Sequence, residues 1–182
     1  MDNDGLKKIH LKQNNWINPS IMIQNSPIHR RGMFAKRNIA KGELLIVWKE
    51  SYTNKAGALE AMLEGKGTMQ WDEDIFSVET DLHVENYLIN HSCDPNSWMT
   101  DAYSLEARRN IPKGKEITVD IAMFESQEDS ITQWECNCGS SLCRGKITGK
   151  DWMRKDLQEM YRGHFSPLLN KRIKDINVKT DM

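Results

Sequence analysis

The feature that most constrains this fold is a cluster of three cysteines, Cys136, Cys138 and Cys143, in the stretch WECNCGSSLCRG. A fourth cysteine, Cys93, lies far away in the chain, within YLINHSCDPNSW. Neighbouring Cys-x-Cys side chains rarely reach disulfide geometry with each other, whereas zinc takes four soft ligands in a tetrahedron. Three thiolates from one tight loop leave a position that Cys93 could fill. The sequence therefore favours a zinc site, and ordinary buried or free thiols are the alternative.

Charge and hydropathy exclude several classes of partner. The chain has 25 basic and 26 acidic residues and a net charge of −1, so it has no general attraction to nucleic acid or to an anionic membrane. Its longest apolar run, LLIV, is far too short to cross a bilayer. The beginning of the sequence has no long apolar segment for secretion. We expect a soluble intracellular protein with no direct nucleic-acid or membrane binding, cytoplasmic or, from a eukaryotic source, nuclear.

Short strand-like runs occupy most of the chain. Each run is rich in apolar residues and bounded by Gly, Pro, Asn or charged residues, which favours strands over helices. The predicted strands are residues 21–24, 33–36, 43–49, 75–79, 104–107 and 116–121. Two turns, NIAKGE and RNIPKG, share the same turn chemistry. The pattern predicts a mainly β fold with a few helices.

The C-terminal part of the chain has a different pattern. Residues 150–162 place Trp152, Leu157, Met160 and Tyr161 on roughly one face, which predicts an amphipathic helix that ends near Gly163. The final stretch KRIKDINVKTDM is polar, and we expect its last residues to be disordered. With 182 residues, the chain is most simply one compact domain with a terminal appendage.

Four motifs in a fixed order resemble one known family. They are RRGMFAKRNIAKGELL, YLINHSCDPN, ARRNIPKGKEITVD and CNCGSSLCRG, and they span about residues 21–145. In this order they resemble the SET-domain protein-lysine methyltransferases that carry a post-SET zinc-binding loop. The resemblance implies small β-sheets with a C-terminal pseudoknot, which brings Asn90 and His91 beside the segment around Asp120, and a zinc-bound post-SET loop with a C-terminal helix.

The same resemblance divides the chain and assigns its ligands. It implies an N-terminal extension (residues 1–19), a SET domain (20–125), a post-SET zinc loop (132–148) and a C-terminal helix and tail (149–182). S-adenosylmethionine would bind on one face, and a lysine of a protein or peptide substrate would enter from the other. Transfer of the methyl group then depends mainly on positioning, with little acid–base chemistry.

The resemblance also implies roles for particular residues. The backbones of Gly32 and Met33 would contact the amino-acid end of the cofactor, where glycine permits close approach. The side-chain amide of Asn90 would bind the cofactor's amino or carboxylate group, the backbone of His91 would contact adenine, and Trp134 would stack on it. As alternatives, Gly32 and Asn90 could shape turns, His91 could be a buried histidine, and Trp134 could belong to the core.

Cys93 has two possible uses, as a zinc ligand or as a nucleophile. A reactive thiolate needs a base or a positive environment, and His91, two residues away, need not face it. The ligand role is the more specific one. It implies a zinc ion bound by Cys93, Cys136, Cys138 and Cys143 that ties the post-SET loop to the core.

The chain departs from the family's pattern where a catalytic tyrosine is expected. Ile121 occupies that position, and the other channel positions align with Trp48, Met99 and Val119. Losing a well-placed hydrogen bond in an active site costs about 10² to 10³ in rate. The hypotheses are therefore a protein-lysine methyltransferase, or a weak or inactive SET module that binds cofactor or peptide and has a regulatory role. Tyrosines elsewhere that could substitute are Tyr52, Tyr87 and Tyr103.

An acidic insert at residues 53–74 occupies the region that commonly helps select the peptide in this family. Its acidic residues Glu64, Asp72, Glu73 and Asp74 could face a basic substrate segment, or they could form a solvated turn. The identity of the methylated protein, the number of methyl groups added and the oligomeric state are left open by the sequence.

Overall fold

The computed structural model describes residues 16–48, 51–78, 88–101, 103–126 and 134–180, and of Ser51, Trp134 and residues 179–180 only the backbone. Most of the predicted N-terminal extension therefore lies outside the described residues. Among the helices that are described, none has the length and apolar character needed to span a membrane.

The described part of the chain is mainly β, with short strands and few helices. The strands are β1 (Trp16–Ile17), β2 (Ile21–Asn25), β3 (Arg31–Ala35), β4 (Leu44–Val47), β5 (Ser51–Thr53), β6 (Thr68–Asp72), β7 (Ile75–Val78), β8 (Asn90–His91), β9 (Ser97–Met99), β10 (Ser104–Ala107), β11 (Glu116–Val119), β12 (Trp134–Glu135) and β13 (Lys146–Ile147). The α-helices are α1 (Lys55–Leu63), α2 (Lys155–Met160) and α3 (Pro167–Thr180), and 3₁₀ turns cover Ile121–Met123 and Asp151–Met153. The predicted fold class is confirmed.

The strands form small sheets. Two have four strands each, in the orders β1-β4-β10-β9 and β2-β3-β11-β8; a third has the order β5-β7-β6, and β12 pairs with β13. Every described pairing between these strands is antiparallel except that of β8 with β11. The chain leaves the second sheet after β8, forms β9 and β10 in the first sheet, and returns as β11 beside β8. This path brings the end of β11 next to the motif NHSC.

Each of the six predicted strands is present, with small shifts in its ends. The shift that affects the site is at the end of β11, which we predicted to reach Ile121. The strand stops at Val119 because the Oδ1 atom of Asp120 accepts a hydrogen bond from the backbone N–H of Ala122 at 3.0 Å and caps the following 3₁₀ turn. Ile121 therefore lies on a turn rather than on a strand.

The two turns of related sequence bind each other through matching hydrogen bonds. Ile39 and Ile111 exchange backbone bonds in both directions at 2.9 Å. The asparagine of each turn accepts from the backbone N–H of the lysine in the other: Asn110 from Lys41 and Asn38 from Lys113, both at 2.9 Å. The shared sequence thus produces a local two-fold arrangement, which connects the turn before β4 to the turn before β11.

The prediction of one continuous helix over residues 150–162 was wrong. The segment forms a 3₁₀ turn and then α2, and the two are separated by Arg154, whose backbone is extended (φ −69°, ψ 128°). The break turns Trp152 into the core, where it is 1% exposed, and places Asp151 against Arg144. Helix α3 (Pro167–Thr180) covers most of the polar tail; the final residues 181–182, where disorder was expected, lie outside the described residues.

Candidate functional site

A cavity of about 410 Å³ lies where four separate parts of the chain meet. Its volume falls within the range of about 300–1,000 Å³ that is typical of small-molecule sites. The lining residues come from the loop between β2 and β3, from the segment around β8, and from the turn after β11 together with the cysteine loop (residues 136–143) and its flank. They are Ile28, His29, Ile89, Asn90, His91, Ile121, Glu135, Cys136 and Asn137.

The parallel pairing of β8 with β11 builds one wall of this cavity. Asn90 is paired with Thr118 and His91 with Val119, and the backbone N–H of Ser92 donates to the carbonyl of Val119 at 3.0 Å. The predicted proximity of Asn90 and His91 to the segment around Asp120 is therefore observed. It depends on residues that are far apart in sequence but adjacent in the second sheet.

The side-chain nitrogen of Asn90 is surrounded by acceptors. Its Nδ2 atom lies 2.7 Å from the carboxylate Oε1 of Glu116, 3.1 Å from the carbonyl of Arg31 and 3.2 Å from the carbonyl of His29. Gly32 lies against this group, because a Cβ atom there would come within 2.1 Å of Glu116 Oε1 and 2.8 Å of Asn90 Nδ2. The missing side chain at Gly32 is what allows Asn90 and Glu116 to meet.

His91 is a neutral, buried imidazole. Burial lowers its pKa to about 4 and outweighs the opposing effect of the Asp120 carboxylate, whose Oδ1 atom lies 3.6 Å from Nδ1. Nδ1 accepts a hydrogen bond from the backbone N–H of Ile121 at 3.4 Å, which leaves the proton on Nε2. Nε2 faces the sulfur of Cys93 at 3.4 Å. His91 therefore connects the cavity wall to the cysteine cluster.

The four cysteines converge as predicted. Their sulfur atoms all lie within 4.8 Å of one another, and all four cysteines are free of disulfides. A tetrahedral zinc site with Zn–S bonds of about 2.3 Å requires sulfur atoms about 3.8 Å apart, and Cys93 and Cys136 are separated by 3.8 Å. The donor set and its spacing fit zinc.

The electrostatics of the cluster are those of a group that a cation would stabilise. Burial raises the pKa of Cys93 to about 11 in the absence of a metal, so several thiolates would not coexist here without a positive charge. Backbone N–H groups already point at the sulfur atoms, from Arg144 to Cys93 at 3.3 Å and from Gly145 to Cys143 at 3.4 Å. Such donors stabilise thiolates and help to orient them towards a metal.

A buried ion-pair network joins the cysteine loop to β11. The guanidinium of Arg144 donates to both carboxylate oxygens of Asp120, at 2.6 and 2.9 Å, and to Asp151 at 2.9 Å. Tyr161 donates its hydroxyl to Asp120 at 3.0 Å. Burial alone would lower the pKa of Arg144, but the Asp120 carboxylate raises it above its ordinary value. The network connects the cysteine loop to Asp120, the residue before Ile121, and sequence analysis did not predict it.

The predicted site residues are only partly brought together. Asn90, His91, Ile121 and Cys136 line the cavity, and Gly32 lies directly behind Asn90. Met33 belongs to β3, and its side chain is fully buried in the core. The backbone of Trp134 is paired with Ile147, but its side chain lies outside the described residues, so its stacking role stays a prediction.

The predicted channel residues lie in the core and are not among the residues that line the cavity. Trp48 is 2% exposed and Met99 and Val119 are each 1% exposed. Trp48 makes an edge contact with Phe124, with ring centroids 6.4 Å apart. Their role in a lysine channel stays a prediction.

Of the tyrosines considered as substitutes, those that the structure describes do not line the cavity. Tyr52 packs against the core from β5, and Tyr103 is buried beside Trp71. Tyr87 lies outside the described residues. The fourth tyrosine, Tyr161, has its hydroxyl committed to Asp120.

The acidic side chains of the insert have partners within the chain. Glu73 pairs with Arg172 of α3 at 2.9 Å, and Glu64 pairs with Lys66 at 2.7 Å. The carboxylates of Asp74 and Asp72 accept from backbone N–H groups at 3.1 and 2.8 Å. These contacts favour the interpretation of a solvated turn over that of a substrate-binding acidic patch.

Two residues of the site were missed by sequence analysis although both lie within quoted motifs. Glu116 stands in ARRNIPKGKEITVD and Arg144 directly follows the last cysteine. A charged residue at the start of an otherwise apolar strand, as in EITV, is a signal for a buried polar contact. The sequence could not name the partner, because Asn90 is 26 residues away.

Comparison with known proteins gives a consistent picture. The family model described as SET domain matches residues 30–122. Human histone-lysine N-methyltransferase 2B is 32% identical over 151 residues, which cover 74% of this chain and 5% of that protein. Histone H3-lysine(4) N-trimethyltransferase ATX1 of Arabidopsis thaliana is 30% identical over 138 residues, 67% of this chain and 12% of that protein. The chain thus spans a small share of the length of these curated relatives.

A solved structure has the same fold. The methyltransferase domain of human histone-lysine N-methyltransferase SETMAR superimposes with a TM-score of 0.55 at 14% sequence identity, over 71% of this chain and 58% of that chain. The cysteine loop lies beyond the residues that the family model matches.

Proposed function

This chain belongs to the SET-domain family, and from this premise we propose that it is an S-adenosylmethionine-dependent protein-lysine N-methyltransferase. It transfers a methyl group to a lysine side chain of a protein substrate. Because the relatives named above are histone-lysine methyltransferases, a basic, lysine-containing tail such as that of a histone is the first substrate class to test.

The observation that carries the proposal is the cavity itself. It has the size of a small-molecule site and is lined by Asn90, His91, Ile121 and the cysteine loop, which come together only in the folded chain. When bound there, S-adenosylmethionine supplies an electrophilic sulfonium methyl group. Asn90 and the backbones of Gly32 and Met33 hold its amino-acid end under this proposal, and the backbone of His91 and the ring of Trp134 hold its adenine.

The lysine side of the site acts by excluding water and by positioning. Under this proposal the substrate amine is bounded by Trp48, Met99, Val119 and Ile121. Apolar surroundings lower the pKa of a lysine and so favour the neutral amine, which is the nucleophilic form. Alignment of the amine with the methyl group supplies much of the rate in such a displacement.

Zinc completes the proposed site. The four cysteines bind one zinc ion, which holds the cysteine loop, and with it Cys136 and Asn137, against the cavity. Metal loss then loosens one cavity wall, because Cys93 on the core side and the loop cysteines share the same ion. This role is structural, since four protein thiolates leave no open coordination position.

Ile121 favours a second candidate function. It lines the cavity at the position where the family's tyrosine is expected, and none of the described cavity residues is a tyrosine. An aliphatic side chain cannot orient the lysine amine by hydrogen bonding. The alternative is therefore a weak or inactive SET module that binds the cofactor or a peptide and has a regulatory role.

The two functions are separated by measuring binding and methyl transfer together. Isothermal titration with S-adenosylhomocysteine tests whether the cavity binds the cofactor. A radiolabelled transfer assay on a histone and peptide panel compares the wild type with Ile121→Tyr and with Ile121→Phe, an aromatic control that lacks the hydroxyl. We expect measurable transfer by the wild type and a gain of about 10²-fold in Ile121→Tyr alone.

The outcome that contradicts the enzyme function is equally definite. Cofactor binding without any transfer by the wild type, together with clear transfer by Ile121→Tyr, assigns the natural chain to the regulatory class. If S-adenosylhomocysteine fails to bind to the zinc-loaded wild type, both functions lose their common basis.

A further inference from the structure

The amide of Asn90 has a defined orientation in the cavity wall. Its Nδ2 atom has two hydrogens and is directed at three acceptors: the carboxylate of Glu116 and the carbonyls of Arg31 and His29. Turning the amide over would put Oδ1 against these acceptors, which cannot donate to it. The contacts therefore fix Nδ2 on the side of Glu116 and leave Oδ1 as the atom available to a ligand.

Glu116 makes the shortest of these contacts and also binds Ser26 beside a second part of the cavity wall. Its Oε1 atom lies 2.7 Å from Asn90 Nδ2, and both of its oxygens accept from the hydroxyl of Ser26, at 2.8 and 2.9 Å. Ser26 Oγ in turn accepts from the backbone N–H of Ile28 at 2.9 Å. Since Ile28 and Asn90 both line the cavity, one carboxylate on β11 connects two of its walls.

The charge of Glu116 determines which ligand group fits beside Asn90. A carboxylate and two carbonyl oxygens within 3.2 Å of Nδ2 make this end of the cavity electronegative. Electronegative surroundings and a free amide oxygen favour a cationic donor such as an ammonium group, and they oppose a second carboxylate.

We propose that Glu116 is a positioning residue that holds Asn90 with Oδ1 facing the cavity, so that this site selects the α-ammonium group of the methyl donor rather than its carboxylate. The inference rests on the proposed function, because it concerns the same cofactor. Glu116 acts through Asn90 and through the electrostatic potential of the wall, without itself touching the reacting atoms.

Isothermal titration of the full, zinc-loaded chain with three ligands tests this role. The ligands are S-adenosylhomocysteine, its deaminated analogue, which keeps the carboxylate, and its decarboxylated analogue, which keeps the ammonium. We expect the wild type to bind the deaminated analogue about 10-fold to 100-fold more weakly than S-adenosylhomocysteine, as for loss of a hydrogen bond to a charged group. The same ratio measured in Glu116→Gln reports the contribution of the carboxylate.

Glu116→Gln removes the negative charge beside Asn90 and the carboxylate acceptor at Oε1, so the orientation of the Asn90 amide then depends mainly on the carbonyls of Arg31 and His29. The penalty for losing the ammonium should then fall at least several-fold, while the ratio between S-adenosylhomocysteine and the decarboxylated analogue stays at its wild-type value. Glu73→Gln is the matched control: Glu73 pairs with Arg172 far from the cavity, and its replacement should leave all three affinities unchanged.

A double-mutant comparison separates positioning from a merely structural role. In an Asn90→Ala background, Glu116→Gln should change the ammonium ratio by less than it does in the wild type, because only the electrostatic part of its effect remains. If Glu116→Gln does not fold, Glu116→Asp provides the test, since the shorter side chain keeps the charge but withdraws it from Asn90 Nδ2; the expected change is smaller and in the same direction.

The results that overturn the inference differ from those that overturn the function. If the wild type binds S-adenosylhomocysteine and Glu116→Gln keeps the wild-type ratio, or weakens all three ligands equally, Glu116 has no selective role. If the wild type binds none of the ligands, the proposed function fails, and the inference fails with it.

Discussion

Replacing Arg144 with methionine should cost this protein a large part of its stability. Arg144 is 4% exposed at its side chain and pairs with Asp120, which is 0% exposed, and with Asp151, which is 8% exposed. Methionine keeps most of the length and apolar volume of the side chain but removes all three of its described carboxylate contacts. Asp120 then keeps only the hydroxyl of Tyr161 and the backbone N–H of Ala122 as donors.

The expected magnitude follows from the burial of this network. Removing one partner of a buried ion pair leaves an uncompensated buried charge and costs about 3–5 kcal/mol. For a chain of this size, each kcal/mol lowers the melting temperature by about 2–4 °C, so Arg144→Met should lower it by roughly 6–20 °C. Arg154→Met is the matched control, because Arg154 and Asp156 form a pair that is 48% and 60% exposed and contributes at most about 1 kcal/mol.

The assay is urea and thermal unfolding followed by circular dichroism, in buffer that saturates the zinc site of every variant. Fixed metal concentration matters because a bound ion raises apparent stability by mass action. Arg144→Met combined with Asp120→Asn should be more stable than the sum of the single losses predicts, by about 0.5–3 kcal/mol, since the double variant no longer buries an unpaired carboxylate.

Equal stability of Arg144→Met and Arg154→Met would refute this reasoning. Strict additivity of Arg144→Met and Asp120→Asn would show that the two groups do not act as a pair. Either result would mean that the ion pair between Arg144 and Asp120 does not hold the cysteine loop.

Two further predictions concern the metal and the cavity wall. Protein purified without chelator should contain about one zinc per chain by elemental analysis, and Cys93→Ser should lower both metal content and melting temperature; a metal-free, fully folded wild type would contradict the site. Gly32→Ala should weaken S-adenosylhomocysteine binding in titration and lower the free energy of unfolding by about 1–3 kcal/mol, because its Cβ would lie 2.1 Å from Glu116 Oε1. Gly114→Ala, where a Cβ meets no atom within 4 Å but the backbone is left-handed (φ +80°), should lower stability without weakening binding, and equal binding by both variants would exclude the close approach at Gly32.

Local patterns were sufficient to predict the strands. Each of the six predicted segments overlaps an observed strand, because alternation and turn residues act over a few positions. The prediction of a helix over residues 150–162 was wrong because local patterns act over only a few positions. Its apolar spacing is shared by a 3₁₀ turn followed by a short helix, and the break at Arg154 places Trp152 in the core and Asp151 beside Arg144.

The residues of the candidate site were predictable to different extents. The cysteine spacing predicted which four cysteines converge, and the family resemblance of the Asn-His-Ser-Cys motif pointed to two residues that line the cavity. The acids and bases that hold them were not predictable. Glu116 meets Asn90 across 26 residues and Tyr161 meets Asp120 across 41 residues, and sequence patterns contain no distance information at that separation.

By itself, the sequence determined the fold class, the family resemblance and the absence of a tyrosine at position 121, because each depends on which residues are present and in what order. Only the tertiary structure decided that Ile121 lines the cavity while Trp48, Met99 and Val119 lie in the core. It also decided that Arg144 and Glu116 hold the two sides of that cavity. The physical reason is that a buried charge must find its partner wherever packing brings one, and packing is a property of the whole chain.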